Sequence, residues 1–370
     1  MHSTRITGIT AATVAIAFLL SACGASSAPT ETGASSADLG AAQASLAEYA
    51  EPTSFPVSTP LDALPTGAKV AYAQCGTPNC VLFGDLMETP AKALGMQFDR
   101  VDAGLSADDV ATAFDTILAG DYDAVVVSSI EPALWSRYLD ELDAADVPVI
   151  STGNSGLDPS KVFLDAGNAS LSIYGGLLAD WATVESGGTG EIALYVTPEL
   201  APTLAMQKAF DERLAKLGSG ATVRVVEIPV AQYGSTAPQI VVDDLTAHPD
   251  TDVAVFTLGE MVGGLPSALR AAGITDLTSI HAGATPASLQ GIKDGDFTAG
   301  ITADFGIFMW TLVDATARAV DGQSLDQPVV DDELVMQVVT ADDLPNDNSK
   351  GWTGYPDFTE RFGELWGVTL

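Results

Sequence analysis

The stretch Ala68 to Gly95, AKVAYAQCGTPNCVLFGDLMETPAKALG, decides the fold class. Val70, Ala71, Tyr72 and Ala73 form a short, mostly apolar run after the turn-forming Pro65-Thr66-Gly67, the pattern of a parallel strand covered on both faces. The apolar spacing then changes. Leu82, Phe83, Leu86, Met87 and Leu94 fall on one helical stripe, and Gly95 stands where a helix C-terminus wants a residue tolerant of positive φ. Pro90 interrupts the stripe, so a kinked or split helix is expected. Between strand and helix lies Cys75-Gly76-Thr77-Pro78-Asn79-Cys80, and strand-to-helix turns are where open α/β sheets hold their ligands. Many enzymes open with such a turn, so by itself it names only a class.

The same alternation continues outward. Met96 to Val101, Ala124 to Val127, Val147 to Ser151 and Val162 to Leu164 read as strands; Ala107 to Leu118, Pro132 to about Ala145 and Asn168 to Glu185 read as helices. A second round runs through strands at Glu191 to Val196, Thr222 to Ile228, Asp252 to Phe256, Ser279 to Ala282 and Thr298 to Thr302, with helices between them. A long apolar helix at Ile307 to Val320 and a late strand at Leu334 to Val339 follow. Strands alternating with helices predict parallel, doubly wound sheets, and two rounds in 370 residues predict two Rossmann-like lobes joined by a multi-crossing hinge. The expected division is 66–165 with 304–330 for the first lobe, and 166–303 with 331–370 for the second.

The N-terminus predicts the compartment. Arg5 supplies a thin positive region, Ile9 to Leu20 is a short apolar run, and Leu20-Ser21-Ala22-Cys23 follows. This reads as a signal peptide over residues 1–22, too short to span a bilayer comfortably. The tetrapeptide resembles a bacterial lipobox, which implies cleavage before Cys23 and a lipid on its thiol; an ordinary secretory signal with an incidental cysteine is the competing reading. Residues 23–65 read as lipid anchor and tether. Gly24 to about Gly40 is nearly all small residues, and Leu46 to Leu64 carries three prolines and no clear periodicity.

With Cys23 assigned to lipid, Cys75 and Cys80 remain, an even pair suited to a disulfide outside the cytoplasm. A metal site competes poorly, because His248 and His281 lie far away in the chain. A net charge of −34 repels phosphate backbones and anionic headgroups, so neither nucleic acid nor electrostatic membrane binding is expected. Membrane contact through the lipid alone, a monomer and no cofactor are the expectations.

Catalytic patterns fail on inspection. There is no G-x-S-x-G elbow, Walker loop, H-E-x-x-H or G-x-G-x-x-G opening a helix, so no enzyme is expected. Gly153-Asn154-Ser155-Gly156 reads as a turn, and Asp108-Asp109, Asp243-Asp244 and Asp331-Asp332 read as solvated faces. Candidate ligand contacts are the polar residues after strands: Thr77, Asn79, Glu131, Asn154, Thr197, Glu199, Thr257 to Glu260, and Asp304. Glu131, Asn154 and Asp304 each have an alternative as helix cap or turn former.

From Ala68 to Ala341 the chain resembles the type I periplasmic binding proteins, and among them the sugar-type, ribose-binding-protein-like solute-binding lipoproteins of ABC importers. The likeness is carried by the opening turn and helix through Ala93-Leu94-Gly95, Asp123 to Pro132, Val147 to Asn154, Leu245 to Gly273 and Gln290 to Asp304. It implies a small molecule captured between two lobes joined by three crossings, delivery to an ABC-transporter permease, and a location on the outer face of the bacterial cell membrane. A receptor feeding a membrane sensor kinase is the alternative, and a surface-tethered enzyme on the same fold a further one. The departures concern the ligand: Asn79 and Cys80 follow Pro78 where ribose-type members carry stacking aromatics, and Leu258-Gly259 stands where an Asn-Asp pair is expected. A ligand less polar than a monosaccharide is therefore expected, with Trp135, Tyr233, Phe305 or Phe308 lining the cleft and Leu258 and Glu260 beside them.

Overall fold

The computed structural model describes residues 37–370 except Thr77, Leu105 and Ser155. Cys23 and the expected signal peptide lie outside the described residues.

The first lobe holds β1 (Lys69–Cys75), α2 (Pro78–Ala93), β2 (Gln97–Gly104), α3 (Ala107–Leu118), β3 (Ala124–Ser128), α4 (Pro132–Trp135), α5 (Leu139–Ala144), β4 (Val149–Thr152) and β5 (Leu164–Ala166). Its strands form a parallel sheet in the order β2-β1-β3-β4-β5. Side chains alternate across it with the period of a strand: Val70, Tyr72 and Val126 pack under α2, while Ala71, Ala73, Val125 and Val127 pack with Val110, Phe114 and Leu142 of α3 and α5. Both faces are apolar because both are covered.

The second lobe holds α6 (Ala169–Glu185), β6 (Glu191–Val196), α7 (Ala201–Leu217), β7 (Thr222–Glu227), α8 (Ala237–Ala247), β8 (Thr251–Phe256), α9 (Leu265–Ala272), β9 (Ser279–Ala282), α10 (Pro286–Lys293) and β10 (Ala299–Ala303). The sheet order is β11-β10-β9-β8-β6-β7, closed at one edge by β11 (Met336–Val339), which pairs antiparallel with β10. Ile192, Leu194 and Val255 face α6 and α7; Ala193, Tyr195 and Phe256 face α8, α9 and α10.

Two helical expectations change. The helix carrying Pro90 is not split and runs to Ala93: the proline removes one i→i−4 bond, and the helix ends within a turn of it. The helix expected from Pro132 to Ala145 is instead α4, a 3-10 turn at Ser136–Tyr138, and α5. Trp135 departs from helical backbone at φ −130°, and it and Tyr138 turn inward to stack on Phe114 with ring centroids 5.4 and 5.1 Å away.

The tether reading is corrected where residues are described. Leu39–Glu48 is a helix, α1, capped by Asp38 and packed on α6. The chain then runs beside β11, where the Tyr49 carbonyl accepts from the Val338 amide and the Thr53 amide donates to the Met336 carbonyl. It finishes on the first lobe, where Asp326 accepts from the amides of Ser58 and Thr59, and the ring centroids of Phe55 and Phe362 lie 5.1 Å apart. This strap touches both lobes.

The C-terminal division is corrected as well. Phe358, Phe362 and Trp366, one helical turn apart on α13 (Phe358–Trp366), pack on Trp310 of α11 (Phe305–Asp321) within the first-lobe core. The segment after β11 therefore first lies on the second lobe, where Leu344 joins its core and Asn348 donates to Gln290, and then returns to the first lobe at α13.

Candidate functional site: the facing sheet edges

Both parallel sheets direct their carboxyl ends toward the crossings. The chain leaves the first lobe from the end of β5 into α6, leaves the second from the end of β10 into α11, and crosses again between α12 (Gln327–Val330) and β11. The carboxyl edges of the two sheets therefore meet across the joining segments, the place where open α/β sheets bind ligands. Asp332, at φ +59°, ties two crossings together: its carboxylate accepts from the Gly167 amide (2.5 Å) and the Ala169 amide (2.7 Å). Asp304 ties the third to the C-terminal segment. One carboxylate oxygen caps α11 at the Ile307 amide (2.9 Å), and the other accepts from Thr353 Oγ1 (2.6 Å) and the Gly354 amide (3.0 Å). It is buried, and its burial raises its pKa against those bonds.

On the first-lobe edge, Thr77 lies outside the described residues, as does the side chain of Asn79. Cys75 and Cys80 bracket the turn with Cα atoms 5.5 Å apart and sulfurs at bonding distance. Beneath them Tyr72 Oη donates to the Cys80 carbonyl (2.9 Å) and shares a 2.6 Å hydrogen bond with Ser128 Oγ, while burial pushes its phenol up to about 12. Glu131 is exposed at the start of α4 and makes no capping bond. Asn154 is buried at the end of β4, its Nδ2 donating to Ser151 Oγ (2.9 Å) and to the carbonyls of Thr152 (3.1 Å) and Val127 (3.3 Å). Its Oδ1 is buried without a protein partner.

Two expected cleft aromatics belong elsewhere. Trp135 is fully buried on the far face of the sheet, donating through Nε1 to the Ile130 carbonyl (3.1 Å), and Phe308 packs into the first-lobe core. An amphipathic indole is drawn inward when its N–H finds a backbone acceptor there. Phe305 behaves as expected of an edge residue: it is exposed just past β10, with the ring of Phe83 5.9 Å away.

On the second-lobe edge, Thr197 Oγ1 donates to the Ile228 carbonyl (2.8 Å) and shares a hydrogen bond with Tyr233 Oη. Burial, and then the charges of Glu260 and Glu199, raise the Tyr233 pKa; the three residues follow the neighbouring strands β8, β6 and β7. Leu258 is half-buried between two core clusters, so its side chain is packing first. Glu260 is exposed and lines a groove of about 470 Å³ between α9 and α10, and the protein around its carboxyl raises its pKa. The structure thus joins Thr197 to Tyr233, sets Glu199 and Glu260 after the adjacent strands β6 and β8, and removes Trp135 from them.

Sequence reading missed the carboxamide oxygens of Gln74 and Gln232, buried acceptors without a protein partner near the ends of β1 and β7, because a lone glutamine carries no motif. It also missed the chemistry of His281, fully buried in β9 against Phe297 with only a marginal contact to the Ser288 backbone. Among the described residues no group of His, Cys, Asp and Glu is placed to hold a metal ion, and no helix is long and apolar enough to cross a membrane.

Comparison with known proteins agrees with this geometry. Solved structures with the same architecture include the periplasmic binding protein component of the arabinose ABC transporter from Shewanella sp. ANA-3, bound to α- and β-L-arabinofuranose. It is 19% identical with a TM-score of 0.62, covering 74% of this chain and 92% of its own. The glucose-galactose binding protein GanP from Geobacillus stearothermophilus is 16% identical with a TM-score of 0.62, covering 76% and 99%. A Mycobacterium smegmatis protein in complex with β-D-fucofuranose is 17% identical with a TM-score of 0.62, covering 81% and 98%. No curated protein sequence matches the chain. The model of the periplasmic binding protein domain matches residues 73–324, and with two wound lobes whose carboxyl edges meet at the crossings, the chain belongs to that family.

Proposed function

We propose that this protein is a lipid-anchored, extracytoplasmic solute-binding protein that captures a small molecule between its lobes and delivers it to the permease of an ABC importer. One observation carries the reading: both sheets present their carboxyl edges to a single set of crossings, with polar groups from each lobe on those edges. A ligand touching both lobes favours the closed arrangement by its differential affinity for it, and the permease reads the closed surface. Cys23 is the proposed lipid site, and Cys75 and Cys80 are proposed to be oxidised in that compartment.

Within this reading the ligand is less polar than a monosaccharide, since exposed Val81, Leu82 and Phe305 lie on segments following strands. Native mass spectrometry of protein purified from its source, followed by tryptophan-fluorescence titration with pentoses, hexoses, aromatic acids and amino compounds, tests it. A co-purified small molecule that rebinds saturably is expected. Tight binding of an ordinary pentose or hexose would overturn the ligand class, and a protein that binds nothing would overturn the function. Pull-down of a permease, against pull-down of a sensor kinase, separates import from signalling.

A further inference from the structure

The strap from Leu39 to Pro65 enters the joint between the lobes. On the second lobe it is anchored by α1, whose Ala42 is buried and whose Leu46 packs on the core, and then by a ladder antiparallel to β11. In that ladder the Tyr49 carbonyl accepts from the Val338 amide and Gln337 Nε2 donates to the Ala50 carbonyl (2.9 Å). Thr53 Oγ1 accepts from the Met336 amide (2.9 Å) and donates to the Leu334 carbonyl (2.7 Å). Phe55 already touches Phe362 of the first lobe, and further on Gln323 Nε2 donates to the Pro60 carbonyl (2.9 Å) and the Leu61 amide to the Leu365 carbonyl (3.1 Å). The strap therefore passes from one lobe to the other between Thr53 and Phe55, alongside the crossing that links α12 to β11.

Two observations independent of the ladder bear on what this passage does. A cavity of about 10 Å³, room for about one water, is lined by Pro56 of the strap together with Ala166 at the end of β5, Ile307 at the start of α11 and Val335 ahead of β11. The strap and all three crossings thus close round the same point, and the strap is a wall of the joint. Pro52, Pro56 and Pro60 also fix φ at regular intervals along the passage, which makes it a semi-rigid spacer where a Gly- or Ser-rich segment would be slack.

We propose that the strap is a fourth hinge element, which restrains the movement of one lobe against the other. A rotation about the three crossings must either strain a stiff fourth connection or strip one set of its anchors, the bonds along β11 on one side or buried Val57 and the Phe55 contact on the other. This goes beyond the solute-binding reading, in which movement of the lobes admits the solute. Its test needs no solute, so its failure leaves that reading to the titrations that decide it.

The test uses the full chain with spin labels on unnatural side chains at the exposed positions Asp115 of α3 and Asp243 of α8, and reads the interlobe distance distribution by double electron–electron resonance. Six Gly-Ser residues inserted after exposed Ser54 add about 13 Å of root-mean-square slack between the two sets of anchors. The expected result is a distribution broadened by up to that slack, with the Met336 and Val338 amides still protected from hydrogen exchange because the ladder stays docked. The same insert after Ala63, beyond the first-lobe anchors, is expected to leave the distribution as it was. If the Ser54 insert costs the amides their protection, Pro52→Gly with Pro56→Gly softens the passage without lengthening it and is expected to broaden the distribution in its place. An unchanged distribution in whichever of these keeps its ladder, or equal broadening by the two inserts, would overturn the proposal.

Discussion

Asp304 and Trp135 were both legible as candidate contacts, and both are consumed by the protein's own interior. The carboxylate of Asp304 accepts three hydrogen bonds, and Trp135 stacks on Phe114 while its N–H meets the Ile130 carbonyl. Residue type announced a capacity for contact; which partner satisfies it depends on neighbours far along the chain. His281 shows the converse, a residue whose energetic role appears only on folding. Burial lowers its pKa from 6.5 to about 4, so the folded protein holds the ring neutral while the unfolded chain protonates it below about pH 6.5. Its contribution is present above that pH and is lost as the pH falls toward 4. Unfolding measured at pH 7 and 4.5 is expected to show a loss from this group of about 2–3 kcal/mol, and His281→Leu is expected to lose less between the same two pH values by that amount. An equal pH dependence in both proteins would refute it.

At the scale of the element, α11 is a core helix that nevertheless buries an ion pair. Asp314 and Arg318, one turn apart and both essentially inaccessible, are 2.6 Å from each other, and Trp366 Nε1 of α13 donates to Asp314 (2.8 Å). Removing one partner strands the other charge, so Arg318→Met is expected to cost about 3–5 kcal/mol in urea unfolding. The double variant Asp314→Leu with Arg318→Met is expected to recover much of that loss; additive losses would show that the charges do not act as a pair. The β1-α2 turn is a second such element. Closing so short a loop restrains the unfolded chain by only about 2 kcal/mol. The Cys75→Ala, Cys80→Ala variant is therefore expected to lose little stability and to lose proportionally more affinity for whatever ligand co-purifies, because the bracket shapes one lip of the cleft. Parallel losses would make it simple reinforcement.

At the scale of the whole molecule, the strap from Leu39 to Pro65 bears on both lobes, through α1 on α6 and through Phe55 and buried Val57 in the first-lobe core. A chain beginning at Thr66 is expected to lose about 3–6 kcal/mol from the apolar burial of Phe55 and Val57. Calorimetry of it is expected to show two separated transitions in place of one, as the lobes lose a segment that packs on both and keep only the three crossings. A single transition at an unchanged temperature would show that the strap merely rests on the surface. Much of the rest of this architecture was legible beforehand. Val70 to Ala73 and Ala124 to Val127 announced covered parallel strands, since no solvent-facing strand carries such a run, and their positions hold.

Sequence by itself determined the period of the chain: which runs are strands, which are helices, that they alternate, and therefore that two parallel sheets form with polar groups at their carboxyl ends. These are local properties, decided by side-chain spacing and by glycine and proline over a few residues. Tertiary structure alone decided what those groups do. Only packing could turn Trp135 inward, lock Asp304 to Gly354, join Tyr233 to Thr197, and leave the Asn154 Oδ1 without a protein donor. The physical reason is that hydrogen-bond satisfaction and charge compensation are properties of neighbours, and in this fold the neighbours come from segments far apart in the chain.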